Sequence, residues 1–255
     1  MIMPLGDDNT DRTIKPLVNY ALIALNIAVF VFLQGLGANE QFTMAWATVP
    51  AEISSGQDIV TEDQVAQDPN TGQTFDVPGL QPTPISVYLT LLMSMFMHGG
   101  FGHIAGNMFY LWIFGDNLED RMGHGKYLAF YLACGLLASL AHVFSTYALG
   151  GNPLIPSLGA SGAISGVLGG YLILFPKKRV RVIILNMLQE VPAIVAIGGW
   201  FLLQLIGGFG SIGNQGGGVA YAAHIGGFIA GLALVKLFDS GIGRREPDVF
   251  VGRVR

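Results

Sequence analysis

Three short clusters in this 255-residue sequence hold polar side chains within apolar surroundings. MHGGFGHIAGNMFYLWIFGDNLEDR carries His98, His103 and Asn107, SLGASGAISGVLGGY carries Ser161, and AAHIGGFIAG carries His224. Polar side chains at bilayer depth are costly and usually face a bundle interior or a water-filled cavity, which makes each a functional candidate. A serine hydroxyl is a weak nucleophile until a base within hydrogen-bond reach takes its proton. His224 is the imidazole on a separate segment able to do so, and the expected chemistry is acyl transfer through a Ser161/His224 dyad. The oxyanion of such a reaction needs pre-aimed donors. Three are available: the backbone N–H of Ser161 at a helix N-terminus, and the side chains of His103 and Asn107, which share a helix face. Asp116 and Asp120 lie at the far end of their segment, so no third member beside His224 is expected.

Each residue also has a plainer reading. Ser161 alone could be a small residue at a helix crossing, His224 a satisfied core histidine, and His103 with Asn107 a hydrogen-bonding clamp between helices. His124, His142 and Ser165 read as structural, and Glu119 with Arg121 as a loop ion pair. A metal centre at His98, His103 and His224 is not expected, because there is no H-E-x-x-H pair and no carboxylate at ligand spacing. No cofactor is expected either.

The elements that must position these groups follow from composition. The chain is 51% hydrophobic and 12% charged, against a usual charged share of about a quarter, and its mean hydropathy is +0.53. Six apolar segments can be drawn, at about 16–36, 84–118, 126–148, 158–175, 180–207 and 218–238. The second and fifth exceed what a span requires and must tilt or break. The expectation is an all-α, six-span membrane bundle forming a single domain over 1–255, with a polar external insert at about 37–84 and a short cytoplasmic tail at about 239–255. The 13 Lys and Arg residues all fall on one face of this arrangement, placing both termini in the cytoplasm. Acidic Asp7, Asp8 and Asp11 near the N-terminus fit neither a transit peptide nor a basic n-region, so the first span is expected to be retained. Cys134 reads as structural.

The fourth segment, at about 15 to 18 residues, covers roughly 22 to 27 Å of a core about 30 Å thick. Ser161 should therefore start below the external surface, in a cavity open to the outside. Gly162, Gly166 and Gly170 form a stripe on that segment, and Gly227 with Gly231 forms a small-xxx-small pair on the sixth. Such stripes let two backbones approach closely, bringing Ser161 to His224.

With these motifs the sequence resembles the rhomboid family of intramembrane serine proteases over nearly its whole length. The resemblance rests on GASG at 159–162, AHIGG at 223–227, HGGFGHIAGN at 98–107 and EDR at 119–121, in family order. It implies Ser161 as nucleophile, His224 as base, His103 and Asn107 as the oxyanion-stabilising pair, and His98, Gly159, Gly162 and Gly227 in supporting places. Substrates would be spanning segments of other membrane proteins, with lipid the other partner and nucleic acid none. The setting would be an integral, multi-pass protein of a bacterial inner membrane. Two family features differ: the Trp-Arg pair ahead of the second span is missing, and Ser165 stands where relatives often have an aromatic that packs on the catalytic histidine. The rival reading is a non-catalytic rhomboid-like protein that binds spanning helices.

Overall fold

Backbone groups in lipid must satisfy one another, so apolar stretches fold as helices. The computed structural model describes residues 2–67, 72, 74–184, 187–210 and 220–241, and it is mostly helical. In chain order come β1 (Ile2–Asp7), α1 (Leu17–Ala28, continuing as a wider turn to Leu33), α2 (Glu40–Trp46), α3 (Pro50–Ser55), β2 (Gln64–Gln67) and β3 (Thr74–Val77). Then follow α4 (Thr90–Met93), α5 (Phe101–Met122), α6 (His124–Ala148), α7 (Ser161–Leu174), β4 (Arg179–Ile184), β5 (Met187–Pro192), α8 (Ala193–Gly210) and α9 (Tyr221–Phe238). The helices α6, α8 and α9 are long and apolar enough to cross a membrane, while Leu17–Leu33, Val87–Phe96 and Ser161–Leu174 are shorter apolar helices.

Both over-long segments break. The second stops at Phe96 and restarts as α5, with Gly100 at φ +153° in between, a conformation open to glycine. The fifth is corrected more deeply, because Arg179–Ile184 and Met187–Pro192 are strands and the helix begins only at Ala193. RVRVII alternates with a period of two, burying Val180 and Val182 while Arg179 and Arg181 point outward, which suits a strand and not a helix. β4 pairs antiparallel with β1 on one side and β5 on the other, setting Asp7 opposite Val180. The all-α expectation thus holds for the bundle but not for this three-stranded sheet, nor for the β2–β3 hairpin within the insert. From residue 242 onward the expected tail lies outside the described residues.

The sheet end of the bundle is tied by charged groups reaching across the sequence. Glu119, fully buried, accepts the Val18 and Asn19 N–H groups at 2.9 and 2.7 Å, meeting the orphan donors of the first turn of α1. Asp120 accepts from the Thr13 and Ile14 N–H groups, each at 2.7 Å. The expected Glu119–Arg121 ion pair does not form: Glu119 faces His124, and Arg121 reaches Asp239 at the end of α9 at 2.7 Å. Two positions apart on a helix, residues 119 and 121 lie on different faces and so meet different neighbours.

Glycines hold α7 against α9. A Cβ at Gly227 would sit 2.0 Å from the Gly162 carbonyl oxygen, and one at Gly231 equally close to that of Gly166. Gly170 departs from the expected stripe, facing the Phe130 ring of α6, and Gly169 takes the third place against α9. Across the top of the bundle, Thr48 of the insert and Ser157 exchange both backbone hydrogen bonds at 2.9 and 2.8 Å, strapping the insert to the chain that leads into α7.

Candidate active site

Ser161 is the first residue of α7, so its own N–H is one of the donors a helix start leaves free. The chain reaches it through Gly159 at φ +121°, held by an N–H bond to the Ser94 carbonyl at 2.9 Å. A Cβ on Gly159 would stand 2.8 Å from Cε1 and Nε2 of His103, so only glycine lets the His103 ring lie against this turn. His224, on α9, brings Nε2 to 2.8 Å from the Ser161 Oγ. Its Nδ1 lies 2.8 Å from Oε1 of Gln204 on α8, and the Trp200 ring, one turn earlier on α8, is centred 6.2 Å from the imidazole.

His103 and Asn107 sit one turn apart on α5. The Gly99 N–H donates to His103 Nδ1 at 3.3 Å, and an accepting Nδ1 leaves the proton on Nε2. That nitrogen is then a donor beside the turn that carries Ser161. The Asn107 Nδ2 is buried with no partner among the described residues, a state that costs free energy unless something arrives to accept from it. His98 is fully buried, its ring edge-on to His103 with centroids 5.2 Å apart. Its backbone exchanges bonds of 2.9 Å with the Gln34 side chain, which also donates to Thr43 of the insert.

Of these groups His103, Asn107, Ser161, Trp200 and His224 line one cavity of about 990 Å³, together with His142, whereas His98 and Gln204 stand behind its wall. Among the described residues its wall has no Asp, Glu, Lys or Arg. His142, read from sequence as structural, is therefore on the wall. Ser165 is not: it is fully buried and donates to the Ser161 carbonyl at 2.6 Å, a helix back-bond. The described residues include no cluster of His, Cys, Asp or Glu arranged to hold a metal.

Two neighbours of His224 escaped the sequence reading. Gln204 is the one polar side chain in AIVAIGGWFLLQLIGGFG, and the rule that singled out Ser161 and His224 applies to it equally. Trp200, four residues earlier, shares its helix face and sets its ring near the imidazole. What such an arrangement can do is transfer a proton between a hydroxyl and a base next to unsatisfied donors, in a pocket whose described wall carries no charged side chain.

Known proteins add to this geometry. The sequence model of the family described as Rhomboid domain matches residues 86–239. The chain is 38% identical over 140 residues to Rhomboid protease GluP of Bacillus subtilis, covering 53% of this chain and 26% of that protein. It is 30% identical over 155 residues to Rhomboid protein 1, mitochondrial, of Saccharomyces cerevisiae, covering 60% and 42%. It is 30% identical over 195 residues to the human Presenilin-associated rhomboid-like protein, mitochondrial, covering 68% and 47%. The chain therefore spans between a quarter and half the length of these relatives. The matched region holds α5 through α9 and every side chain that meets at the cavity apart from the insert's own, and on that match the chain belongs to the rhomboid family.

Proposed function

We propose that the chain is an intramembrane serine endopeptidase that cuts membrane-spanning segments of other proteins. The observation that carries this reading is the 2.8 Å contact between Ser161 Oγ and His224 Nε2 in a cavity whose described wall has no charged side chain. His224 takes the hydroxyl proton as Oγ bonds to the scissile carbonyl carbon, and the displaced electron pair settles on the carbonyl oxygen. That oxyanion is met by the Ser161 N–H, the His103 Nε2–H and the Asn107 amide. The imidazolium returns its proton to the leaving amine as the C–N bond breaks, and water, deprotonated by the same ring, hydrolyses the acyl-enzyme. A neutral wall favours an apolar substrate, opened from its helix to present the bond.

In this reading α1 with its extension, α5, α6, α7, α8 and α9 are the six spans of one domain. β1 and the end of α9 lie with the sheet and its Lys and Arg residues on the cytoplasmic side, and the insert lies outside. The expectation of a bacterial inner membrane draws no support from the relatives, two of the three named above being mitochondrial.

Cleavage of a tagged single-span reporter in liposomes tests the proposal. The parent cuts and is labelled at Ser161 by a fluorophosphonate, and Ser161→Ala and His224→Ala lose about 10⁴-fold or more in rate. Variants that cut as well as the parent, or a parent that neither cuts nor labels, would leave the chain a non-catalytic binder of spanning helices.

A further inference from the structure

An imidazole acts as base toward a serine only in one tautomer. Nε2 must be free to accept, so the proton must sit on Nδ1, and Nδ1–H needs an acceptor to hold it there. Around His224 the groups that could serve are few. The dyad contact uses Nε2, and Trp200 offers only a tilted ring. The carboxylates Asp116, Glu119 and Asp120 are at the sheet end of α5, committed to Arg12, α1 and the segment leading into it. Gln204 Oε1, at 2.8 Å from Nδ1, is the acceptor in place.

We infer that Gln204 is a positioning residue for the general base, its amide oxygen fixing the Nδ1–H tautomer and the plane of His224 through a hydrogen bond from the neighbouring helix. This deepens the protease reading and rests on it. The residue type suits the depth: a carboxylate among Leu202, Leu203 and Ile206, which are exposed along α8, would carry a charge into hydrocarbon, whereas an amide accepts the same proton while neutral. The arm is also held at both ends. One turn before Gln204, Trp200 packs near Phe228 and His224. Three residues after it, Gly207 lies so near Tyr221 that a Cβ there would stand 2.4 Å from the ring. The Gln204 oxygen is thus set against α9 at the height of the imidazole. Because this oxygen is neutral, it steadies the imidazolium formed during attack less than a carboxylate would, and its loss costs less than losing the acid of a full triad.

The test uses the full chain in liposomes with the reporter, together with ¹⁵N spectra of the histidine rings. Gln204→Leu keeps the bulk but removes the acceptor. It is expected to lower kcat about 10- to 100-fold with KM near the parent's, and to replace the Nδ1–H signature of His224 by a tautomer mixture. Gln204→Glu restores an acceptor and is expected to recover most of kcat while moving the acidic limb of the pH profile upward, since a carboxylate beside the ring favours its charged form. A parent that cuts, with Gln204→Leu matching it in kcat and in ring spectrum, overturns the inference and leaves the protease reading standing. So does a loss in Gln204→Leu that Gln204→Glu repeats without any shift in pH profile, which marks a packing role. A parent that neither cuts nor labels fails the protease reading instead, and the ring spectra still decide whether Gln204 sets the tautomer.

Discussion

The two ends of α7 meet polar chemistry of opposite kinds. At its sheet end, charge is answered by charge, by a side-chain amide or by backbone: Arg12 with Asp116 at 2.6 Å, Lys178 with Asp11 and Asn117, and Glu119 with the start of α1. At its cavity end the groups are neutral and sparsely answered: the Asn107 Nδ2 and both ring nitrogens of His98 have no partner among the described residues. One end uses polarity to tie distant stretches of chain, and the other keeps polarity in reserve. A donor already engaged cannot meet a developing oxyanion, so unsatisfied groups that would weaken the sheet end are what the proposed reaction requires at the cavity end.

The contrast can be broken at four places. If Asn107 is a reserved donor, Asn107→Ala lowers kcat about 10²- to 10³-fold with little change in KM or melting. A fall in stability with unchanged kcat would instead mark it as a clamp. At the sheet end the pattern reverses: Glu119→Ala strips two backbone N–H groups of their acceptor and is expected to cost about 3 kcal/mol in denaturant unfolding. Gly231→Ala lies between the ends, pressing a methyl onto the Gly166 carbonyl. About 1–3 kcal/mol of overpacking is expected, with a fall in kcat as α9 shifts His224 away from Ser161.

The smallest effect concerns Asp7 at the tied end, one oxygen of which has no partner among the described residues. Burial, helped by the nearby Asp116, pushes its carboxyl up to about 7 from 3.8, against hydrogen bonding from Tyr171 and the charge of Lys178. The folded chain then holds this proton more tightly than the unfolded chain, so stability is fullest below about pH 4, falls as pH rises toward 7, and is level above. Asp7→Asn should remove that decline. The melting temperature of the variant relative to the parent should rise by several degrees between pH 5 and 8, and an unchanged difference would place the titration elsewhere.

How much of this could be read beforehand differs between the same two ends. Ser161, His224, His103 and Asn107 stand out because apolar surroundings make a polar residue conspicuous, and the glycine spacing on α7 and α9 announces their approach. Gln204 was as conspicuous but stands at no motif, so its partner could be known only once α8 was placed beside α9. The sheet end was hidden for another reason. Glu119 acts on Val18 and Asn19 a hundred positions away, and nothing local to either stretch records that pairing. RVRVII gave a local strand signal, which its neighbouring apolar run masked.

The helix that joins the two ends is short. Its 14 residues rise about 21 Å, against about 30 Å of hydrocarbon. On the proposed reading and topology, the proton that His224 exchanges comes from water on the cavity side, while Asp7, beyond the other end of α7, answers to water on the sheet side. On that proposal a pH difference across the membrane would be felt at two points of one molecule, as reaction rate on one side and as stability on the other, and the two responses would be driven separately by changing the buffer inside or outside a vesicle.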